Sequence, residues 1–526
     1  MQRATNFAIR ANLYNNFNGN PLGMRSLGQL VVVFASLVLA QNPPLAGPAA
    51  PGAGAETIVI DANGPSHAFP HFWERVVGSG RAILTLRDSY RTDLSNFKRA
   101  TGVDYVRFHN IFHDEVGIYD VDNNGTPIYN WSYVDQIYDG LIESGVRPFV
   151  ELSFMPYKLA LNKQPHPFWY KPIPSPPADY KHWDEMILAF TRHLVDRYGL
   201  GEVQNWYFEV WNEPNIDFWN GKPAEATYYE LYDHTASSVK AISAKLRVGG
   251  PATAQAAWID RFLDHCAKNK IPVDFVSTHV YGNDSSHDVF GTDETIGRAD
   301  MVARAVRKVY DQVKRSPLPN VEIHWTEYNA TYMNQVNVTD SPFMGPWLAH
   351  TIAASDGLVN TMSYWCVSDV FEEQGVVKQP FYGGYGLSAA GNIPKAAFNA
   401  FALLHRLGFD RLDNPSPDAL VTKRADGTIV MAVWNYAEAE EIGSNREYKF
   451  DVSNLSLAAK ARITIVDRDH GSPLRAWEEM GSPPFPTREE QGRLRVAATM
   501  PEPIDFDWRQ ILTLPPKSLA LIEISR

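Results

Sequence analysis

Phe208-Glu209-Val210-Trp211-Asn212-Glu213-Pro214-Asn215 is an apolar run that stops in Asn-Glu-Pro. Its first half has the length and composition of a buried strand. Proline offers no ladder hydrogen bond, so the strand ends before Pro214 and the carboxyl of Glu213 stands at its tip. His324-Trp325-Thr326-Glu327-Tyr328-Asn329 repeats the shape and ends a second strand in Glu327. Around these two, short apolar runs alternate with amphipathic helical stretches from about residue 76 to 405. Eight strands are expected, at 76–84, 104–109, 147–154, 206–211, 246–250, 275–281, 322–326 and 362–367. The first is the weakest, because Gly78 and Gly80 interrupt it. Helical periodicity fills the gaps: 131–144 puts Tyr133, Ile137, Leu141 and Ile142 on one face, and 182–198 does the same with Trp183, Met186, Phe190 and Leu194. This alternation predicts an α/β chain whose residues 76–407 form a (β/α)8 TIM barrel. Beyond 408, helical periodicity fades into short strands and Pro/Gly turns, which predicts an appended antiparallel β-sandwich over 408–526. The segment 56–75 carries an early strand expected to join that sandwich.

The chain has 526 residues, 44% hydrophobic and 21% charged, enough to bury a full-sized core. Fourteen Trp and 24 Tyr supply flat faces of the kind that sugar sites use, although a large packed core accounts for them equally well. The net charge of −12 disfavours nucleic acid and anionic membranes as partners. Cys266 and Cys366 form no CxxC or Cys/His cluster and read as two buried thiols, so no metal and no cofactor is expected. Residues 30–40, LVVVFASLVLA, are too short for a comfortable membrane span and fit the core of a signal peptide cleaved after Ala40. The long stretch before that run makes Met24 an alternative start. Residues 41–55 are a Pro/Ala/Gly-rich spacer. The mature protein is thus expected in the periplasm or secreted, with no membrane attachment after cleavage.

One glutamate at a strand end reads as well as a solvated or ion-paired loop residue. Two of them, on strands four and seven of one barrel, face each other across its catalytic end. That is the equipment of glycoside hydrolysis, where one carboxylic acid protonates the leaving oxygen and one carboxylate attacks the anomeric carbon. A retaining mechanism needs the two carboxyls about 5–5.5 Å apart.

Further motifs accompany the pair: Arg107-Phe108-His109, Val116-Gly117-Ile118-Tyr119, Ser153-Phe154-Met155-Pro156 and Val273-Asp274-Phe275-Val276-Ser277 with His279-Val280-Tyr281. Ser363-Tyr364-Trp365, Ser368-Asp369-Val370-Phe371-Glu372-Glu373 and Gly383-Gly384-Tyr385-Gly386-Leu387 follow. In this order, over about residues 70–408, the chain resembles the β-xylosidases of glycoside hydrolase family 39. The resemblance implies Glu213 as acid/base and Glu327 as nucleophile. It implies that Asn212 bonds the sugar 2-hydroxyl and Tyr281 donates to the nucleophile. His109, His279, Glu372 and Glu373 would contact other hydroxyls, and Trp365 would form an apolar wall. It implies release of xylose from the non-reducing end of β-1,4-xylo-oligosaccharides, and a homo-oligomer, since relatives are often tetramers.

Val280, Cys366-Val367 and the short polar segment 282–293 depart from that pattern and bear on the leaving-group side. Rival specificities in the same family are α-L-iduronidase and glycosidases of arabinose-containing or exopolysaccharide chains. A non-catalytic carbohydrate-binding barrel is the rival of another class. No HExxH helix, GxSxG elbow, P-loop or strand-linked GxGxxG is present, which speaks against metallohydrolase, serine hydrolase and nucleotide-binding readings.

Overall fold

The computed structural model describes residues 54–456 and 458–525. The apolar run at 30–40 and most of the spacer lie outside the described residues. Among the described residues no helix is long and apolar enough to cross a membrane.

Eight parallel strands close into a barrel in sequence order. They are β1 (Val76–Arg81), β2 (Tyr105–His109), β3 (Arg147–Leu152), β4 (Tyr207–Val210), β5 (Arg247–Thr253), β6 (Phe275–Tyr281), β7 (Glu322–Asn329) and β8 (Thr361–Tyr364). The (β/α)8 expectation holds for all eight. Helices flank the barrel, and their ends follow the sequence. Asp179 caps the helix Tyr180–Tyr198 by accepting from the Lys181 N–H, and the helix Asp88–Thr101 stops at Gly102, whose φ is +73°. The first strand stops at Arg81 and turns into a 3-10 helix, Ala82–Leu86.

The barrel interior is layered. Val76, Tyr105, Phe149, Tyr207 and Phe275 pack at its base. Side chains alternate along a strand, so residues two further on form the next inward layer. That layer holds Arg107, Glu151 and Glu209, with Glu151 directly opposite Glu209 in the register. A polar layer above an apolar floor is what places chemistry at the C-terminal end.

The appended sandwich has a three-stranded and a seven-stranded sheet. Strand Glu56–Asp61 pairs in parallel with Arg446–Ser453, so the start of the described chain is stitched into the sandwich. In strand Ile429–Asn435 alternate residues face two different cores. Ile429, Met431 and Val433 enter the sandwich core, while Val430, Ala432 and Trp434 pack against the barrel. Being buried on both faces explains its unbroken apolar sequence. Cys266 and Cys366 are free and buried.

Two helices, Leu474–Glu479 and Arg488–Ala497, stand where only strands and turns were expected. The second buries only Leu494, too little apolar surface to leave a periodic trace. Its start rests instead on a capping box between Thr487 and Glu490.

The loops after β7 and β8 are tied by a buried charge cluster. Lys395 Nζ lies 2.6 Å from both Asp340 Oδ1 and Asp369 Oδ2 and donates to the Gly384 carbonyl at 2.9 Å. Burial opposes its charge, but the two carboxylates hold it protonated. Asp340 and Asp369 also accept from the Gly383 and Gly386 N–H groups. A Cβ on Gly384 would fall 2.4 Å from Asp369 Oδ1, and one on Gly386 2.3 Å from the Asp369 nitrogen, so this turn requires glycine. Lys395→Met is expected to destabilise the protein by about 3–5 kcal/mol, because it strands two buried carboxylates. Urea unfolding curves of both proteins measure this.

Candidate active site

The centre of the barrel mouth is Arg107, which is fully buried. Its Nε donates to Glu209 Oε2 at 2.5 Å, its Nη1 to Glu327 Oε1 at 2.8 Å and its Nη2 to Asn212 Oδ1 at 2.9 Å. Nη2 also lies 2.8 Å from Glu151 Oε2. Burial works against this guanidinium, yet Glu151, Glu209 and Glu327 more than compensate and raise its pKa. One planar fork thereby links side chains of β2, β3 and β7 with β4 and the turn after it.

Glu327 is 4% exposed, and both of its oxygens are engaged. Oε1 accepts from Arg107, and Oε2 accepts from the Tyr281 hydroxyl at 2.6 Å. Burial keeps that hydroxyl protonated well past its ordinary range. His109 and His279 each bring a ring nitrogen to 3.7 Å from Glu327 Oε1. Their surroundings act on the two histidines in opposite directions. Burial opposes protonation of His109, but Glu151 at 2.7 Å outweighs it and raises its pKa. Burial dominates at His279 and lowers its pKa to about 4, so it is neutral at pH 7.

Glu213 projects from the turn after β4, with φ of +44° and its N–H donating to the Ala252 carbonyl at 2.8 Å. Its Oε1 lies 3.1 Å from Nδ1 of His279, whose Nε2 lies 3.1 Å from Thr326 Oγ1. One carboxyl oxygen each of Glu213 and Glu327 and a ring nitrogen of His279 lie within 4.8 Å of one another. The strand-end glutamates therefore meet across the mouth.

These three residues have the spacing of a metal site as well. Arg107 already supplies a positive charge 2.8 Å from Glu327, so a divalent cation there would face like-charge repulsion. A second triad, His71, Glu74 and His405, is closed by hydrogen bonds of 3.0 and 2.9 Å from the two imidazoles to Glu74 Oε1.

Trp365 packs its ring 4.7 Å from His109 and edge-on to Phe371 at 5.8 Å. The glycines that weaken β1 as a strand are there for this wall. A Cβ on Gly78 would fall 2.5 Å from Trp365 Cε3, and one on Gly80 would fall 3.1 Å from Phe371 Cδ2. Glu372 and Glu373 part company. Glu372 is paired with Arg81 at 3.1 Å and with Arg87, and burial notwithstanding, those guanidinium groups lower its pKa. Glu373 looks into the mouth, where burial and then the charges of Glu327 and Glu213 push it up to about 8 against the pull of His109.

Glu213, Glu327, Asn212, His109, His279, Tyr281, Trp365 and Glu373 thus gather in one place, while Glu372 braces its rim. Arg107, Glu151 and Glu209 carried no assigned role in the sequence. Their signal was a charge inside each of the apolar runs at 105–109, 148–152 and 207–210, on the side that alternation turns inward.

The Glycosyl hydrolases family 39 profile matches residues 56–506. A beta-xylosidase of Geobacillus stearothermophilus is 35% identical over 444 residues, 82% of this chain and 87% of that one. A beta-xylosidase of Caldicellulosiruptor saccharolyticus is 34% identical over 82% of this chain and 88% of that one. The solved structure of a GH39 beta-xylosidase from Caulobacter crescentus superposes with a TM-score of 0.77 at 33% identity, covering 90% of this chain and 100% of that one. At that identity and coverage the chain belongs to glycosyl hydrolases family 39 and is a glycoside hydrolase.

Proposed function

We propose that the chain is a retaining exo-β-xylosidase that removes xylose from the non-reducing end of β-1,4-xylo-oligosaccharides. The observation that carries the mechanism is the approach of Glu213 and Glu327, with carboxyl oxygens within 4.8 Å. Direct attack by a carboxylate needs carboxyls about 5–5.5 Å apart, whereas an inverting pair leaves about 6.5–9.5 Å for water. Glu327, accepting from Arg107 and Tyr281, is the nucleophile. Glu213, beside the neutral His279, is the acid that gives its proton to the leaving oxygen. After the sugar is bonded to Glu327, Glu213 takes a proton from the water that displaces it, and the anomeric configuration is retained.

Asn212 has its carbonyl fixed by Arg107, which aims its amide at the sugar 2-hydroxyl. His109 and Glu373 take the remaining hydroxyls. Glu373, protonated at pH 7, donates to one of them. Trp365 takes the apolar face of the ring. Xylose as the sugar is supported by the beta-xylosidases that resemble the chain along most of its length. An iduronate carboxylate would need a cation in the pocket, and the guanidinium groups of Arg81 and Arg87 are already paired with Glu372. Export rests on the signal-like run at 30–40. Amino-terminal sequencing of natively produced protein should begin near Gln41, and intact residues 1–40 would remove the claim.

Glu327→Ala should abolish hydrolysis of 4-nitrophenyl β-xyloside, and azide should restore turnover as the α-xylosyl azide. Glu213→Ala should slow xylobiose hydrolysis by about 10²–10⁴-fold. Xylosides with good leaving groups need little protonation and should still form the glycosyl-enzyme. Equal loss on both kinds of substrate refutes the acid assignment.

The raised pKa of Glu373 has a consequence for stability. The unfolded chain releases this proton near 4.5, and the folded chain holds it to about 8. Stability from this group is therefore full below pH 4.5 and declines as pH rises to 8. Glu373→Gln removes that decline, so its urea midpoint relative to the parent should be higher at pH 8.5 than at pH 5.

A further inference from the structure

In the mechanism above Glu213 protonates the leaving oxygen, so the leaving group lies on the Glu213 side of the mouth. The loop after β3 reaches that side. Within it His166 stacks on Phe218 with centroids 4.5 Å apart, and Phe168 meets Phe218 at 5.3 Å. Phe218 belongs to the same loop as Glu213, and its carbonyl accepts from Trp211 Nε1 at 2.8 Å. The loop after β3 is thereby fastened to the segment that carries the acid.

Trp169 is the next residue of that loop. Its N–H donates to the carbonyl of Glu373 at 2.8 Å, which sets it beside the mouth. Its indole is flanked by the Arg81 guanidinium, 5.7 Å from the ring centroid, and by Gly375, where a Cβ would come 3.6 Å from Cδ1. The ring is held in place and still 52% exposed; every other tryptophan among the described residues is buried or half-buried. A rigid, wet aromatic face beside a sugar-cleaving site is a platform for a pyranose, whose axial C–H groups form an apolar patch.

We propose that Trp169 is the floor of the leaving-group subsite and stacks on the neutral pyranose ring next to the scissile bond, the second xylose of the substrate. This rests on the β-xylosidase reading. The ring it takes is uncharged, because the guanidinium against the indole is neutralised locally: Arg81 pairs with Glu115 and Glu372. The subsite contributes only when the leaving group is a ring, so it separates sugar leaving groups from small ones.

The experiment compares kcat/KM for xylobiose with that for β-xylosyl fluoride, whose leaving group is one atom and cannot stack. In W169A and W169L the xylobiose-to-fluoride ratio should fall at least about tenfold below that of the parent. W169F, which keeps a flat face, should hold it within about threefold. The leucine variant keeps the apolar bulk, so it reads the flat face even if W169A folds poorly. A ratio in W169L unchanged from the parent overturns the platform. If the parent turns over neither substrate, the xylosidase reading falls and the subsite with it.

Discussion

Three carboxylates converge on one guanidinium at the centre of this barrel, and the site depends on that balance. Glu151, Glu209 and Glu327 come from three strands and bring like charges into a space closed to water. Without Arg107 their like charges would face one another with no cation between them. Lysine would supply the charge and lose the geometry. A compact ammonium cannot meet Glu209, Glu327 and Asn212 at once with fixed donors, as the planar fork does. The same residue therefore permits the polar layer to exist and sets the angle of the glutamate and the amide proposed to act on the sugar.

How much of this was legible in the sequence follows from the range of the forces involved. Strands and helices leave local marks, and all eight barrel strands could be read from apolar runs and alternating periodicity. Glu213 and Glu327 were legible because each ends such a run. The partners of Arg107 were not, because the Arg107–Glu327 contact joins residues 220 positions apart and no local pattern encodes it. Glu372 and Glu373 make the limit concrete. They are adjacent in sequence, yet one turns to two arginines and the other to the mouth, and a positive φ of +64° at Glu372 helps to set that divergence. The two helices after residue 473 leave no local mark for the opposite reason, since they bury too few apolar residues to write a period.

The glycines of β1 show how a weak local signal can carry non-local information. As strand residues Gly78 and Gly80 are poor choices, having no side chain to pack. Their cost is explained by Trp365 and Phe371, which occupy the space a Cβ would fill. The Gly383–Gly386 turn reads the same way against Asp369. Both ends of the segment after β8 are thus accommodated by missing side chains, and the wall of the pocket is formed by close backbone approach rather than by flexible residues.

The charge arrangement also fits the division of work proposed for the two glutamates. Glu213 and Glu327 share one mouth, but Glu327 accepts from Arg107 and Tyr281, whereas Glu213 lies 3.1 Å from a histidine that burial keeps neutral. The asymmetry lies in the partners and not in the glutamates. In the proposed mechanism the sugar's bond to Glu327 removes that carboxylate's charge, and Glu213 loses its anionic neighbour. Arg107 remains, still charged and balanced by Glu151 and Glu209. The field at Glu213 then shifts toward favouring its anion at the step where a base is required. A single change of charge on one carboxyl would turn the acid of the first half-reaction into the base of the second, with no side chain having to move.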